Sequence, residues 1–227
     1  MDTRSVILDR AVELLAASES GDVSTRAVCE AAGVGQPVLY RLFGDKDGLL
    51  AAVADRVWGE YLDSKRSAVP SDDPLMDLRD GWDNHTMFAL SHPHAYRLVF
   101  ASSSSSRPAA ANEAMGLLQS ILGRLAAQGR LRMDPADAAR VVMAANSGIA
   151  LALILRPEQY PDISLSVSVR EATVRAILAD TAVTEPDPAQ AQRTAATTLI
   201  AGLQDSTVFT PGESVLLSEW LYRIQDT

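Results

Sequence analysis

Thr25-Arg26-Ala27-Val28-Cys29-Glu30-Ala31-Ala32-Gly33-Val34-Gly35-Gln36-Pro37-Val38-Leu39-Tyr40-Arg41-Leu42-Phe43 spells a short helix, a tight turn and a second short helix. Ser24 is placed to cap the first helix, whose expected inward face is Ala27, Val28, Cys29 and Ala31. Gly33 stops it, because glycine accepts the left-handed conformation that ends a helix, and Val34 plugs the angle between the two helices. The second helix, Gln36 to Phe43, has Pro37 in its first turn and is expected to bury Leu39 and Phe43. That leaves Gln36, Pro37, Val38, Tyr40 and Arg41 on the outward side.

Such an outward set suits the major groove of DNA. A glutamine hydrogen-bonds an adenine edge, Pro37 and Val38 offer apolar contact to a thymine methyl, and Tyr40 and Arg41 reach phosphate oxygens. No acidic residue stands between Gly33 and Gly44 to repel the backbone. Arg26, in the first turn of the preceding helix, is placed for a base or a phosphate. Lys46 opens the next helix, where it would anchor a phosphate beside the helix N-terminus.

Charge limits how this binding works. The 227-residue chain has 47% hydrophobic and 22% charged residues and a net charge of -9, so it does not coat nucleic acid by bulk electrostatics. Residues 1 to 50 hold five basic side chains against eight acidic ones, which requires the basic groups to be segregated on the DNA-facing side. The N-terminus lacks the basic-then-apolar layout of an export signal, and Val141 to Leu155 is shorter than the ~20 residues needed to span a bilayer. A cytoplasmic protein without a membrane segment is expected.

Helix punctuation runs through the rest of the chain. Asp73-Pro74, His92-Pro93, Asp134-Pro135, Asp187-Pro188 and Thr210-Pro211 each read as a residue, in four of the five a strong or plausible N-cap, followed by proline at the first helical position. Ser168 with Glu171 and Thr210 with Glu213 have capping-box spacing. Helices are expected over Asn112 to Gln128, Pro135 to Leu155, Ser168 to Thr181, Pro188 to Gln204 and Pro211 to Gln225. Ser164 to Val169 alternates like a strand, but has no second strand to pair with. The expected fold is all-α. A three-helix helix-turn-helix domain occupies 1 to 50, a linker helix runs from about Asp45 to Val69, and a larger helical ligand-binding and dimerisation domain fills 51 to 227.

The stretch Thr25 to Leu50, with its Ala-Gly-Val turn, Leu39-Tyr40 pair, Phe43 and Lys46-Asp47-Gly48-Leu49-Leu50, resembles the N-terminal domain of the TetR family of bacterial transcriptional regulators. The resemblance implies a dimer on a double-stranded DNA operator and a variable C-terminal domain that takes a small-molecule effector. It carries the DNA contacts onto Thr25, Arg26, Gln36, Pro37, Tyr40 and Lys46. Gly35 occupies the position where many members hold a phosphate with Ser or Thr. Leu42 departs from the polar or aromatic residue common there.

Beyond residue 51 the resemblance is to helical content, apart from the Pro-x-x-Tyr-Arg-Leu pattern within His92 to Phe100. Trp82, His85, Met87, Phe88, Phe100, Met115, Met143 and Asn146 are expected in the core. Of these, Trp82, His85, Phe88, Met115, Met143 and Asn146 are candidate effector contacts, a mixture of apolar bulk and a few polar groups. Asn146 in an apolar helix requires a hydrogen-bond partner. That lining suits an apolar or aromatic effector. No phosphate loop, His-Glu-x-x-His, Cys-x-x-Cys or nucleophile elbow occurs, so no enzyme, metal or cofactor is expected. The alternative is a helical DNA-binding adaptor controlled by a protein partner. A two-fold dimer is expected from late helices, Pro135 to Leu155 with one or more after Ser168.

Overall fold

The computed structural model describes residues 2–18, 20–100, 109–179, 188–203 and 208–225. Helices account for nearly all of it: α1 (Thr3–Ala16), α2 (Thr25–Ala32), α3 (Gln36–Phe43), α4 (Lys46–Ser67), α5 (Pro74–Ser91), α6 (Pro93–Phe100), α7 (Ala109–Ala127), α8 (Pro135–Leu155), α9 (Ser164–Ile177), α10 (Pro188–Leu203) and α11 (Pro211–Gln225). The all-α expectation holds. Each of the five cap-proline pairs starts a helix at its proline, where the missing N–H leaves no bond unmade. The serine run Ser102 to Ser106 lies outside the described residues.

Local chemistry explains most helix ends. Asp45 Oδ1 accepts from the Gly48 N–H at 2.7 Å and caps α4, while Asp134 Oδ1 accepts from Ala136 N–H at 2.8 Å at the start of α8. The Thr210 and Glu213 capping box forms in full, with Thr210 N–H donating to Glu213 Oε2 at 2.8 Å. The other expected box does not form. Ser168 lies inside α9 and donates to Ser164 O, because α9 starts at Ser164, where Asp162 Oδ1 accepts from the Ser164 N–H at 2.7 Å. Ser24 likewise makes no side-chain cap at α2.

The chain forms two compact units, Met1–Ala68 with Thr86–Ala114 and Ala150–Pro161, and Val69–His85 with Met115–Ile149 and Asp162–Thr227. In the first unit, Ile7, Leu8, Ala11 and Leu15 of α1 pack with Val23, Val28, Cys29, Leu39, Leu49 and Val53. α6 packs on α1 and α4 in the same unit. There Trp58, Tyr61, Phe88, His92, Tyr96 and Phe100 form an aromatic cluster, with ring centroids 4.5 Å apart for Tyr61 and Phe88 and 4.8 Å for Trp58 and Phe88. Burial pushes the Tyr61 and Tyr96 hydroxyls above their ordinary range.

In the second unit Trp82 Nε1 donates to Ser166 Oγ at 3.0 Å, and Asn146 Nδ2 donates to Trp82 O at 3.1 Å. Arg79 holds Glu171 through two hydrogen bonds of 3.1 and 2.8 Å, and Arg170 bridges Asp83 and Glu171. Leu131 and Leu178 form a single antiparallel bridge. α10 and α11 pair as a hairpin over Ala196, Ile200 and Leu221. Among the described residues α8 is the one helix long and apolar enough to cross a membrane; 39% of its most apolar window is buried.

Candidate nucleic-acid interface

Gly33 ends α2 in the left-handed region at φ 66°, and its turn is closed by Val34 N–H donating to Cys29 O at 3.0 Å. Gly35 is the N-cap of α3, with Val38 N–H on its carbonyl at 3.0 Å. Gly48 answers a different need. A Cβ there would collide with the Phe43 carbonyl, so the end of α3 and the first turn of α4 approach each other only over a glycine.

The core anchors this corner through Val28, Cys29, Leu39 and Leu49, and burial pushes the Cys29 thiol upward. Ala31 is exposed, contrary to expectation: one turn after Val28, it lies at the edge of the face that Val28, Cys29 and Ala32 turn inward. Val38, Leu42 and Phe43 are half-buried. Arg4 of α1 sits over the Phe43 ring, 5.2 Å from its centroid.

Gln36, Pro37, Tyr40 and Arg41 are exposed on α3, with Tyr40 at 42%. Tyr40 OH and Thr25 Oγ1 lie 3.4 Å apart, joining the middle of α3 to the start of α2. Arg26 is highly exposed and pairs with Glu30 one turn on, at 3.0 Å. Lys46 Nζ is 2.6 Å from Asp22 Oδ1, and that hydrogen bond holds the Asp22 carboxyl below the usual carboxylate range. Two of the local cations are therefore already shared with acids, and the Lys46–Asp22 pair, 24 residues apart, is one that spacing did not reveal.

The expected effector residues do not all come together. Trp82, His85 and Asn146 are buried and Met115 and Met143 half-buried in the second unit, whereas Phe88 belongs to the first unit's aromatic cluster. Asn146 finds its required partner in the Trp82 carbonyl. Met87 is 52% exposed, not core, because Trp82, His85, Thr86 and Ala89 set the buried side of α5. A groove of about 600 Å³ in the second unit is lined by other residues, among them Gly116, Ser120, Gly123, Ile200 and Tyr222. No group of His, Cys, Asp and Glu among the described residues could hold a metal ion.

Among the described residues the fold is helical and holds a helix-turn-helix over α2 and α3, the architecture of a DNA-binding regulator. Residues 7–53 match the family model of bacterial regulatory proteins of the tetR family, and residues 78–159 match the tetracyclin repressor-like C-terminal domain. The chain belongs to the TetR family of transcriptional regulators. A TetR-family transcriptional regulator from Pectobacterium atrosepticum is similar at TM-score 0.66 and 22% identity, over 78% of this chain and 95% of that one. FadR from Bacillus subtilis, solved with stearoyl-CoA, is similar at TM-score 0.63 and 17% identity, over 76% and 98%. NalD from Pseudomonas aeruginosa, the secondary repressor of the MexAB-OprM multidrug efflux pump, is similar at TM-score 0.56 and 21% identity, over 78% and 98%. No curated protein matches the chain.

Proposed function

We propose that this regulator is a ligand-responsive repressor that binds a pseudo-palindromic operator as a homodimer and is released by a small apolar or aromatic effector. The observation that carries the reading is the exposed set Arg26, Gln36, Pro37, Tyr40 and Arg41, with the half-buried Thr25, on a corner fixed by Gly33, Gly48 and the buried Leu39. Gln36 and Pro37 read base edges, and Thr25, Tyr40, Arg41 and Lys46 hold phosphates, with the amide of Gly35 at the N-terminus of α3. Residues 1–50 act as the DNA-binding domain and 51–227 as the effector and dimerisation domain. The protein works in the cytoplasm, without catalysis or a cofactor.

Two recognition helices must stand ~34 to 36 Å apart to read successive major grooves, which requires a dimer. α8 supports this, since its exposed Val141, Ala144 and Gly148 form a stripe small enough for close helix approach. Ile163, Leu165 and Val167 at the start of α9 are also exposed. The effector binds beside Trp82, His85, Met115, Met143 and Asn146; Phe88 stays in its own cluster. Retardation of the DNA flanking the gene by purified protein, with and without stearoyl-CoA as a first probe, tests the reading. Absence of any sequence-dependent shift over a range of salt concentrations overturns it.

A further inference from the structure

Residues 1 to 50 hold five basic side chains, and the structure divides them into two kinds. Arg10 pairs with Glu13 at 2.6 Å, Arg26 with Glu30 at 3.0 Å and Lys46 with Asp22 at 2.6 Å. Arg4 and Arg41 form no ion pair among the described residues. A cation that already holds a carboxylate must release it before it takes a phosphate, so the two unpaired arginines offer their charge to DNA most directly. Arg41 lies on α3, where a phosphate contact is already assigned to it. Arg4 lies on α1, outside the helix-turn-helix.

The position of Arg4 gives that charge a direction. Arg4 is exposed in the first turn of α1, and its guanidinium carbon stands 5.2 Å from the centroid of the Phe43 ring. Phe43 is the last residue of α3, in one row along the helix with Gln36 and Tyr40 at spacings of four and three residues. Phe43 is half-buried because that row borders Leu39, which points into the core. Arg4 therefore continues the outward row that Gln36 and Tyr40 begin. A guanidinium within ~6 Å of a ring centroid is held by cation–π attraction, and the N–H groups along its edge stay open to two oxygens of one phosphate. Being held there also reduces the rotamer freedom that Arg4 gives up on binding.

We propose that Arg4 is a further DNA-binding residue, a phosphate clamp that α1 adds at the end of the recognition helix α3, with Phe43 as its positioning residue. The inference rests on the operator reading above and extends the DNA-facing surface to α1. Folding gives no competing reason for the residue, because a cation in the first turn of a helix opposes the helix dipole and α1 does not need it there.

Fluorescence anisotropy of the full-length protein tests it, on a labelled duplex from the DNA flanking the gene and a random duplex of equal length, over a salt series. Arg4→Ala should weaken both duplexes alike, about tenfold, and lower the slope of log affinity against log salt by ~1, with thermal unfolding close to wild type. Arg4→Lys should keep the slope and lose part of the affinity, since the charge remains and the fork does not. Phe43→Leu should cost about threefold in the wild-type background and nothing further in Arg4→Ala, because the ring acts through Arg4. Equal losses from Phe43→Leu in both backgrounds would assign the ring to packing alone and overturn its positioning role. A loss in Arg4→Ala confined to the gene-flanking duplex, with the slope unchanged, would make Arg4 a base contact and overturn the clamp. Wild-type affinity in Arg4→Ala overturns the clamp and leaves the operator reading standing; a wild-type protein that binds neither duplex overturns both.

Discussion

Lys46, at the first position of α4, and Asp22, in the loop before α2, are joined by a hydrogen-bonded ion pair of 2.6 Å across the DNA-binding corner. Both side chains are well exposed, so the pair adds little to stability. Under the proposed reading, Lys46 exchanges a carboxylate for a phosphate when the operator binds. Asp22→Asn should tighten binding to all sequences alike, by freeing Lys46 and removing a negative charge. Lys46→Ala should weaken all sequences alike and lower the slope of log affinity against log salt by ~1. Filter binding on operator and random DNA over a salt series measures both.

Gln36 differs in kind, because the proposed role of this exposed amide at the start of α3 is to read bases and not charge. Gln36→Ala should cost ~1 to 3 kcal/mol of discrimination between operator and a singly substituted operator, with random-DNA affinity nearly unchanged. Equal losses on both DNAs would show that the outward face has been misassigned.

Two glycines should respond unequally to alanine. At Gly33 the strain is conformational, φ 66° with open space around the Cβ, and Gly33→Ala should cost ~1 to 2 kcal/mol. At Gly48 the Cβ meets the Phe43 carbonyl, so the end of α3 must move and Gly48→Ala should lose operator affinity beyond its loss of stability. Denaturant melts beside operator titrations separate the two effects.

Acid should act through Glu171. Hydrogen bonds from Arg79, then Arg170, hold its carboxyl below the usual carboxylate range. A depressed native value means the stabilisation is present above the unfolded glutamate value of ~4.3 and is lost as pH falls below it through the native value. Glu171→Gln should therefore lower the melting temperature near neutrality and flatten its fall as pH drops below the unfolded glutamate value of ~4.3. An unchanged acid limb in the variant would mean other carboxylates carry it.

Trp82 links α5 to α9 through Ser166 and to α8 through Asn146. Trp82→Ala should cost ~3 to 5 kcal/mol as a large buried side chain, whereas Trp82→Phe should keep the fold and lose mainly the Ser166 bond. If an effector binds beside it, Trp82→Phe should shift effector affinity while leaving ligand-free operator affinity intact. Isothermal titration with stearoyl-CoA and operator retardation give the two readouts.

Much of the fold was legible because its signals are local. A proline at the first turn, a glycine past the last turn and the spacing of apolar residues act within a few residues of chain, so five proline-led helices and the Gly33 turn could be read directly. Where two local signals competed, reading failed: the alternation over Ser164 to Val169 hid the start of α9, which Asp162 sets. Ala31 and Met87 were misplaced because the width of the side that a helix turns inward depends on its neighbours, not on its own sequence. The pairing of Lys46 with Asp22, the bond from Asn146 to the Trp82 carbonyl, and a groove assembled from α7, α8, α10 and α11 bring together residues far apart in the chain. Such contacts exist only when whole helices pack, so residue order determined the elements and their DNA-facing chemistry, while packing alone decided which charges are shared and which surfaces remain open.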